Sequence, residues 1–187
     1  MDERSGTHSR RERILEAALF LALRHGLAGV TMEAIAREAK IAKPTLYGYF
    51  SNKDAVFVGV MEALIVDMRT AFDAAMAADA PLVDRIAAAL TAKHATAFRL
   101  LEGSPHSDAL YSQHDRVAGP QFRALEEAIG ERLAGDLAAA GVAQAAALAR
   151  LLMAATQGVA ERAGSNTELS DGIGLVTRRL LAPDLSR

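Results

Sequence analysis

An all-α fold is what this sequence predicts, and three observations predict it. Ala and Leu, the strongest helix formers, supply much of the 51% apolar content, whereas runs of β-branched residues are scarce. Apolar residues recur at three- and four-residue spacing over several long segments. Gly- and Pro-centred breaks separate those segments. At 187 residues the chain holds one ordinary domain, or a small domain joined to a larger one.

The elements follow in order. Ile14, Ala18, Leu21 and Ala22 form one stripe of a helix over 10–25, and Gly26 ends it after His25 in the last turn. Thr31 is placed to cap the next helix, with Glu33 in the first turn, where the dipole favours an acid. Ile35, Ala36 and Ala39 of that helix point inward. Ile41, Leu46 and Phe50 continue their core through a turn and a third helix. Ser51 and Asn52 open a long fourth helix, with Ser51-x-x-Asp54 resembling a capping box and an apolar face of Val60, Leu64, Met68, Ala71 and Ala75. Ala80-Pro81 breaks it. Helices over 82–101, 105–114, 119–140, 143–163 and 167–181 follow, separated by Gly103-Ser104-Pro105, Ala118-Gly119-Pro120, Gly141 and Gly164-Ser165-Asn166. The predicted architecture is a three-helix head over 1–53, with a basic arm at 1–13. A long helix joins it to an all-helical body over 54–187.

Composition excludes several classes of function. The absence of cysteine removes disulfide frameworks and thiolate chemistry. No apolar run approaches the roughly 20 residues needed to span a bilayer. The start, MDERSGTHSRRER, lacks the apolar stretch of a signal peptide, so a cytoplasmic protein with no membrane partner is expected. The net charge of −2 is unevenly spread. Residues 1–53 carry nine Lys/Arg against six Asp/Glu, and residues 54–187 carry twelve against seventeen. A basic head on an acidic body suits an end that meets phosphates.

The most informative stretch is TMEAIAREAKIAKPTLYGYFSNK, residues 31–53: a short helix, a tight turn and a second helix opening on Lys-Pro-Thr. This is a helix-turn-helix pattern, whose second helix enters a DNA major groove. Pro44 is tolerated in a first helical turn because its missing N–H would be unpaired anyway. Lys43 and Thr45 lie at the end of the helix that reaches base edges, Thr45 suited to an edge or a thymine methyl and Lys43 to a guanine or a phosphate. Tyr47 and Tyr49 can donate to phosphate oxygens, and Gly48 between them allows close approach. Lys53, in a first turn where a cation is disfavoured, makes sense if it faces a phosphate. An exposed lysine of small cost accounts for it equally, and partial burial accounts for the tyrosines. Arg4, Arg10, Arg11 and Arg13 form either a phosphate-touching arm or a solvated tail.

Residues 30–57, VTMEAIAREAKIAKPTLYGYFSNKDAVF, closely resemble the N-terminal DNA-binding domain of the TetR (tetracycline-repressor-like) transcriptional regulators. Thr31, Ile35-Ala36, Thr45-Leu46-Tyr47, Tyr49-Phe50 and Lys53-x-x-x-Phe57 match in order and spacing, as does the preceding RERILEAALFLALRHG. The resemblance covers about residues 10–57. It implies a homodimer that binds a double-stranded operator and is released by a small effector, with no enzymatic activity and no cofactor. Two positions depart from the pattern. Lys40 stands where the family has Gly, and a left-handed turn there would cost about 1 kcal/mol. Ala42 stands where a Ser commonly caps the recognition helix. A dimeric small-molecule-binding or adaptor protein with a lapsed head is the alternative these departures support.

The body carries the weaker signals. The segment 143–163 is apolar on two sides, one with Leu148, Leu151, Leu152, Ala155 and Val159, the other with Ala149, Met153, Thr156 and Ala160. With Ile173, Val176 and Leu180 of the last helix, the faces of Ala149, Leu152, Met153, Thr156 and Ala160 suit a four-helix dimer interface. Burial in one protomer's core fits the same pattern. His94 falls in the stripe Ile86, Leu90, Ala97, Leu101 and faces inward. With Phe98, Tyr111, Phe122, Met153 and Gln157 it could line an effector pocket, or each could be ordinary core. His106, Asp108, His114 and Asp115 have the residue types of a metal site, although solvated loop histidines are commoner, and no metal is expected.

Overall fold

The structure is a computed structural model that describes residues 9–185, with side chains described outside 108–117 and 184–185. Among the described residues it contains only helices. They are α1 (Arg10–His25), a 3₁₀ turn (Leu27–Gly29), α2 (Met32–Glu38), α3 (Lys43–Tyr49), α4 (Lys53–Met76), α5 (Leu82–Leu101), α6 (Ser107–Ala139), α7 (Ala145–Ala160) and α8 (Asn166–Leu185). Two compact units result. The first runs to Ala63 and takes in Leu101–Gly119; the second holds Leu64–Leu100 and the chain from Pro120 onward. The division therefore falls inside α4 rather than at residue 53, and a stretch from the middle of the chain belongs with the head.

Local chemistry sets each boundary of the head. Ser9 and Glu12 form a reciprocal capping box on α1, with Glu12 N–H donating to Ser9 Oγ at 3.2 Å and Ser9 N–H to Glu12 Oε2 at 2.7 Å. Gly26, at φ 70°, ends the helix. Thr31 Oγ1 accepts from Ala34 N–H at 3.1 Å and opens α2 as the sequence predicts. After α2 the chain turns through a Schellman motif. Lys40 N–H donates to Arg37 C=O at 3.2 Å and Ile41 N–H to Ala36 C=O at 3.0 Å. Lys40 itself sits at φ 54°, so the predicted left-handed turn is present and a lysine occupies it. Ala42 gives α3 no side-chain cap, and Pro44 stands in its first turn. Asn52, not Ser51, caps α4, accepting from Ala55 N–H at 2.9 Å.

Ile14, Ala18, Ile35, Leu46 and Val56 are fully buried in the head core, closed by Phe50 and Phe57. Each such large aliphatic chain contributes about 1.5–3 kcal/mol by leaving water. Leu46 is the only fully buried residue of α3, so Leu46→Ala would loosen that helix most, by about 2–5 kcal/mol. The segment from the middle of the chain is tied in by Ser104, whose hydroxyl donates to Leu23 C=O at 2.8 Å.

The body has its own core, built from Phe72, Met76, Ile86, Leu90, Leu133, Leu137, Leu152 and Leu169. In the body half of α4 the buried residues are Met68, Phe72 and Met76, whereas Ala71 and Ala75 of the predicted face are only half-buried. Helical hydrogen bonding runs through 107–139, where the sequence predicts two helices, but Ala118 breaks from helical geometry at φ −144°, ψ 30°. Pro120 causes the break, since it lacks a donor and its ring crowds the preceding turn. Helices α7 and α8 pack closely because residue 172 is glycine: a Cβ there would lie 2.7 Å from Val159 Cγ1.

Candidate nucleic-acid interface

The helix-turn-helix comprises α2, the Lys40 turn and α3. Only one side of α3 is held by the core, through Leu46, with Phe50 following at the helix end. The other side is open. Tyr47 is 45% and Tyr49 46% exposed, although large rings usually find cover. A Cβ built on Gly48 would meet nothing within 4 Å, so the fold itself places no demand for glycine there. Pro44 and Lys43 are exposed, and Thr45 is half-buried. Of the side chains predicted to meet DNA, Lys43, Pro44, Tyr47, Gly48 and Tyr49 are thus exposed on α3, whereas the Thr31 hydroxyl is engaged as the α2 cap.

The cations are less free than their spacing implies. Lys43 pairs with Glu33 across the turn and lies over the Tyr47 ring, 5.9 Å from its centre. The hydrogen bond and charge of each partner hold the Glu33 carboxyl below its ordinary range and the Lys43 ammonium above its own. Lys53 Nζ donates to Leu27 C=O at 3.0 Å, which gives this half-buried lysine an internal partner where an outward, phosphate-directed one is predicted. Arg11 reaches Glu62 at 3.5 Å and stacks on Phe50, tying that part of the predicted arm to the head; Arg4 lies outside the described residues. Among the described residues, the helix-turn-helix cations with no ion-pair partner are Arg37 and Lys40, both exposed. The helix-turn-helix pattern put neither forward as a candidate contact.

In the body, His94 is 6% exposed and its Nε2 has no hydrogen-bond partner. Burial, and then the neighbouring Lys93, push its pKa down to about 3. Lys93 is fully buried, meets the Glu126 carboxylate and no other acceptor, and is pulled below the usual lysine range by burial. Its position three residues after Leu90, on the apolar stripe, was the signal that could have found it. Phe98, Phe122 and Met153 are half-buried against the body core. Gln157 donates to Glu161 at 3.2 Å. The Tyr111, Asp108, His114 and Asp115 side chains lie outside the described residues, and His106 packs over Gly26. Among the described residues no cluster fits a metal ion, and no helix is long and apolar enough to cross a membrane.

The predicted interface residues divide. Ala149, Leu152, Thr156 and Ile173 are buried within the protomer and have no surface to offer a partner, because α7 and α8 cover them against the body core. The Thr156 hydroxyl bonds Leu152 C=O at 2.8 Å. Met153, Ala160, Val176 and Leu180 are half-buried. Among the described residues, the large apolar side chains that α7 and α8 expose are Leu151, at 54%, and Leu175, at 57%.

Known proteins share these features. The family model for bacterial regulatory proteins, tetR family, matches residues 14–60. The HTH-type transcriptional repressor SCO4008 of Streptomyces coelicolor is 41% identical over 56 residues, which are 30% of this chain and 29% of that protein. The HTH-type transcriptional regulator YdeS of Bacillus subtilis is 30% identical over 123 residues, 65% of this chain and 61% of its own length. The chain thus spans less than two thirds of the length of these relatives. SmeT, the repressor of the Stenotrophomonas maltophilia multidrug efflux pump SmeDEF, has the same fold. Its structure covers 95% of this chain and 90% of its own at 21% identity, with a TM-score of 0.69.

Proposed function

We propose that the chain is a member of the tetR family of bacterial regulatory proteins, acting as a dimeric, DNA-binding transcriptional regulator released from a palindromic operator by a small effector. The observation that carries this reading is the outward face of α3, with two half-exposed tyrosines flanking a glycine that the fold does not require. Inserted into a major groove, that face brings Thr45 to a base edge and the Tyr47 and Tyr49 hydroxyls to phosphates. Arg37 and Lys40 add charge to the backbone contacts, so binding weakens steeply with salt. Two relatives carry the word repressor in their names, which supports repression over activation.

The exposed Leu151 and Leu175 support a homodimer through α7 and α8, in which the same patch meets itself across a two-fold axis. Leu151→Glu with Leu175→Glu should then yield monomers on sizing, and dimers that survive both changes would exclude this face. The orphaned His94 Nε2 beside the buried Lys93 supports an effector site in the body, since a ligand would satisfy polar groups that the fold leaves open. Effector binding and DNA binding are then linked through one equilibrium between head arrangements.

Selection of bound duplexes from a random pool at low salt tests the proposal. Enrichment of a near-palindrome is expected, with Thr45→Ala relaxing its sequence preference and Tyr47→Phe weakening all sequences alike. Failure to enrich any sequence would favour a small-molecule-binding protein with a lapsed head.

A further inference from the structure

We infer that Glu33 is a specificity-determining residue of the nucleic-acid interface: its carboxylate holds the Lys43 ammonium, so that an acceptor fixed in the groove, and not any passing phosphate, draws the lysine onto DNA. This rests on the DNA-binding reading above. Glu33 is the second residue of α2 and Lys43 the first of α3, so the pair bridges the starts of the two helices. Their side chains are 57% and 53% exposed, which places the pair on the outside of the motif. The Tyr47 ring lies against the same ammonium, 5.9 Å away, so the lysine is steered along the exposed face of α3.

The consequence follows from what each kind of DNA offers. Non-specific binding is almost wholly phosphate neutralisation. In this motif Arg37 and Lys40 can supply it, whereas Lys43 is neutralised in advance by its pairing with Glu33. Random DNA therefore gains little from Lys43. A guanine at the right step presents O6 and N7 as fixed acceptors, and an exposed ion pair is weak enough for them to replace. Specificity is a difference of affinities, and Glu33 acts by lowering the unwanted one.

Glu33→Gln keeps the side chain's size and removes its charge. The full-length protein and this variant would be titrated with the pool-selected duplex and with a scrambled duplex of equal length, across a series of salt concentrations. Affinity of the variant for the scrambled duplex should rise about tenfold, with a salt slope steeper by about one phosphate contact. The selected duplex should gain less, so the ratio between the two falls. Adding Lys43→Ala to the variant should return scrambled binding to the wild-type level. An unchanged ratio and slope in Glu33→Gln would overturn the inference. So would a gain that persists without Lys43, because Glu33 would then be a simple repulsive charge. If wild type and variant bind no DNA at low salt, the DNA-binding reading itself fails and takes this inference with it.

Discussion

The head and the body are both packed from helices, yet they treat buried polar groups in opposite ways. Among the described residues no buried side-chain nitrogen or oxygen of the head lacks a partner, whereas in the body His94 Nε2, Gln121 Oε1 and Thr177 Oγ1 all do. Each such atom costs roughly 1–3 kcal/mol. A second contrast concerns one backbone motif used twice. Helix α6 ends in the same Schellman turn as α2, with Val142 N–H bonding Leu137 C=O at 3.0 Å, but the left-handed position there is Gly141 rather than a lysine. Each unit holds one non-glycine residue in the left-handed region, Lys40 in the head and Gln144 in the body, whereas among the described residues the unsatisfied buried groups lie in the body.

Acid is the largest lever on that contrast. The unfolded chain takes a proton on His94 below about pH 6.5, while the folded body refuses it down to about pH 3. Because the folded pKa is the lower one, this contribution is complete above pH 6.5 and is lost as pH falls through the window. Between pH 7 and 4.5 the loss from this residue should be about 2–3 kcal/mol. Urea unfolding at the two pH values should show a clearly smaller loss in His94→Leu, and an equal loss would mean that the histidine is not held neutral. Two glycines give the next effect. Gly172→Ala meets Val159 and should lower stability by about 1–3 kcal/mol, whereas Gly48→Ala meets nothing and should raise it by about 0.5–1 kcal/mol. Thermal melts of the two variants would break the contrast if both shifted the same way. The smallest effect lies in the paired turns. Lys40→Gly should stabilise, and Gly141→Ala destabilise, each by about 1 kcal/mol in denaturant titrations.

Local rules made the head readable and left much of the body unread. Helix starts and ends and the inward residues Ile35 and Leu46 follow from spacing and backbone sterics within a few residues, while the left-handed turn at Lys40 is legible only through the family resemblance, which puts a glycine there. The α4 cap was missed by one position because Ser51 and Asn52 are both capping residues and only the traced backbone separates them. The partners of Lys43 and Lys53 lie 10 and 26 residues away, beyond any local pattern. On α7 the periodicity marks two apolar sides but not which residues the protomer keeps: Ala149 and Thr156 of one side and Leu152 of the other are core, while Leu151 beside Leu152 is exposed. The place of 101–119 with the head is a property of the fold, and no composition shift marks it.

The central claim is that the outward face of α3 meets DNA. Gly48→Glu tests it most directly, because the side chain has open space around it and its charge would stand between Tyr47 and Tyr49. The measurement is the dissociation constant of this variant for the pool-selected duplex, set beside its unfolding midpoint. A midpoint no lower than that of the wild type, with binding weakened about 100-fold or more, is the expected result. Wild-type affinity in a folded Gly48→Glu protein would contradict the account.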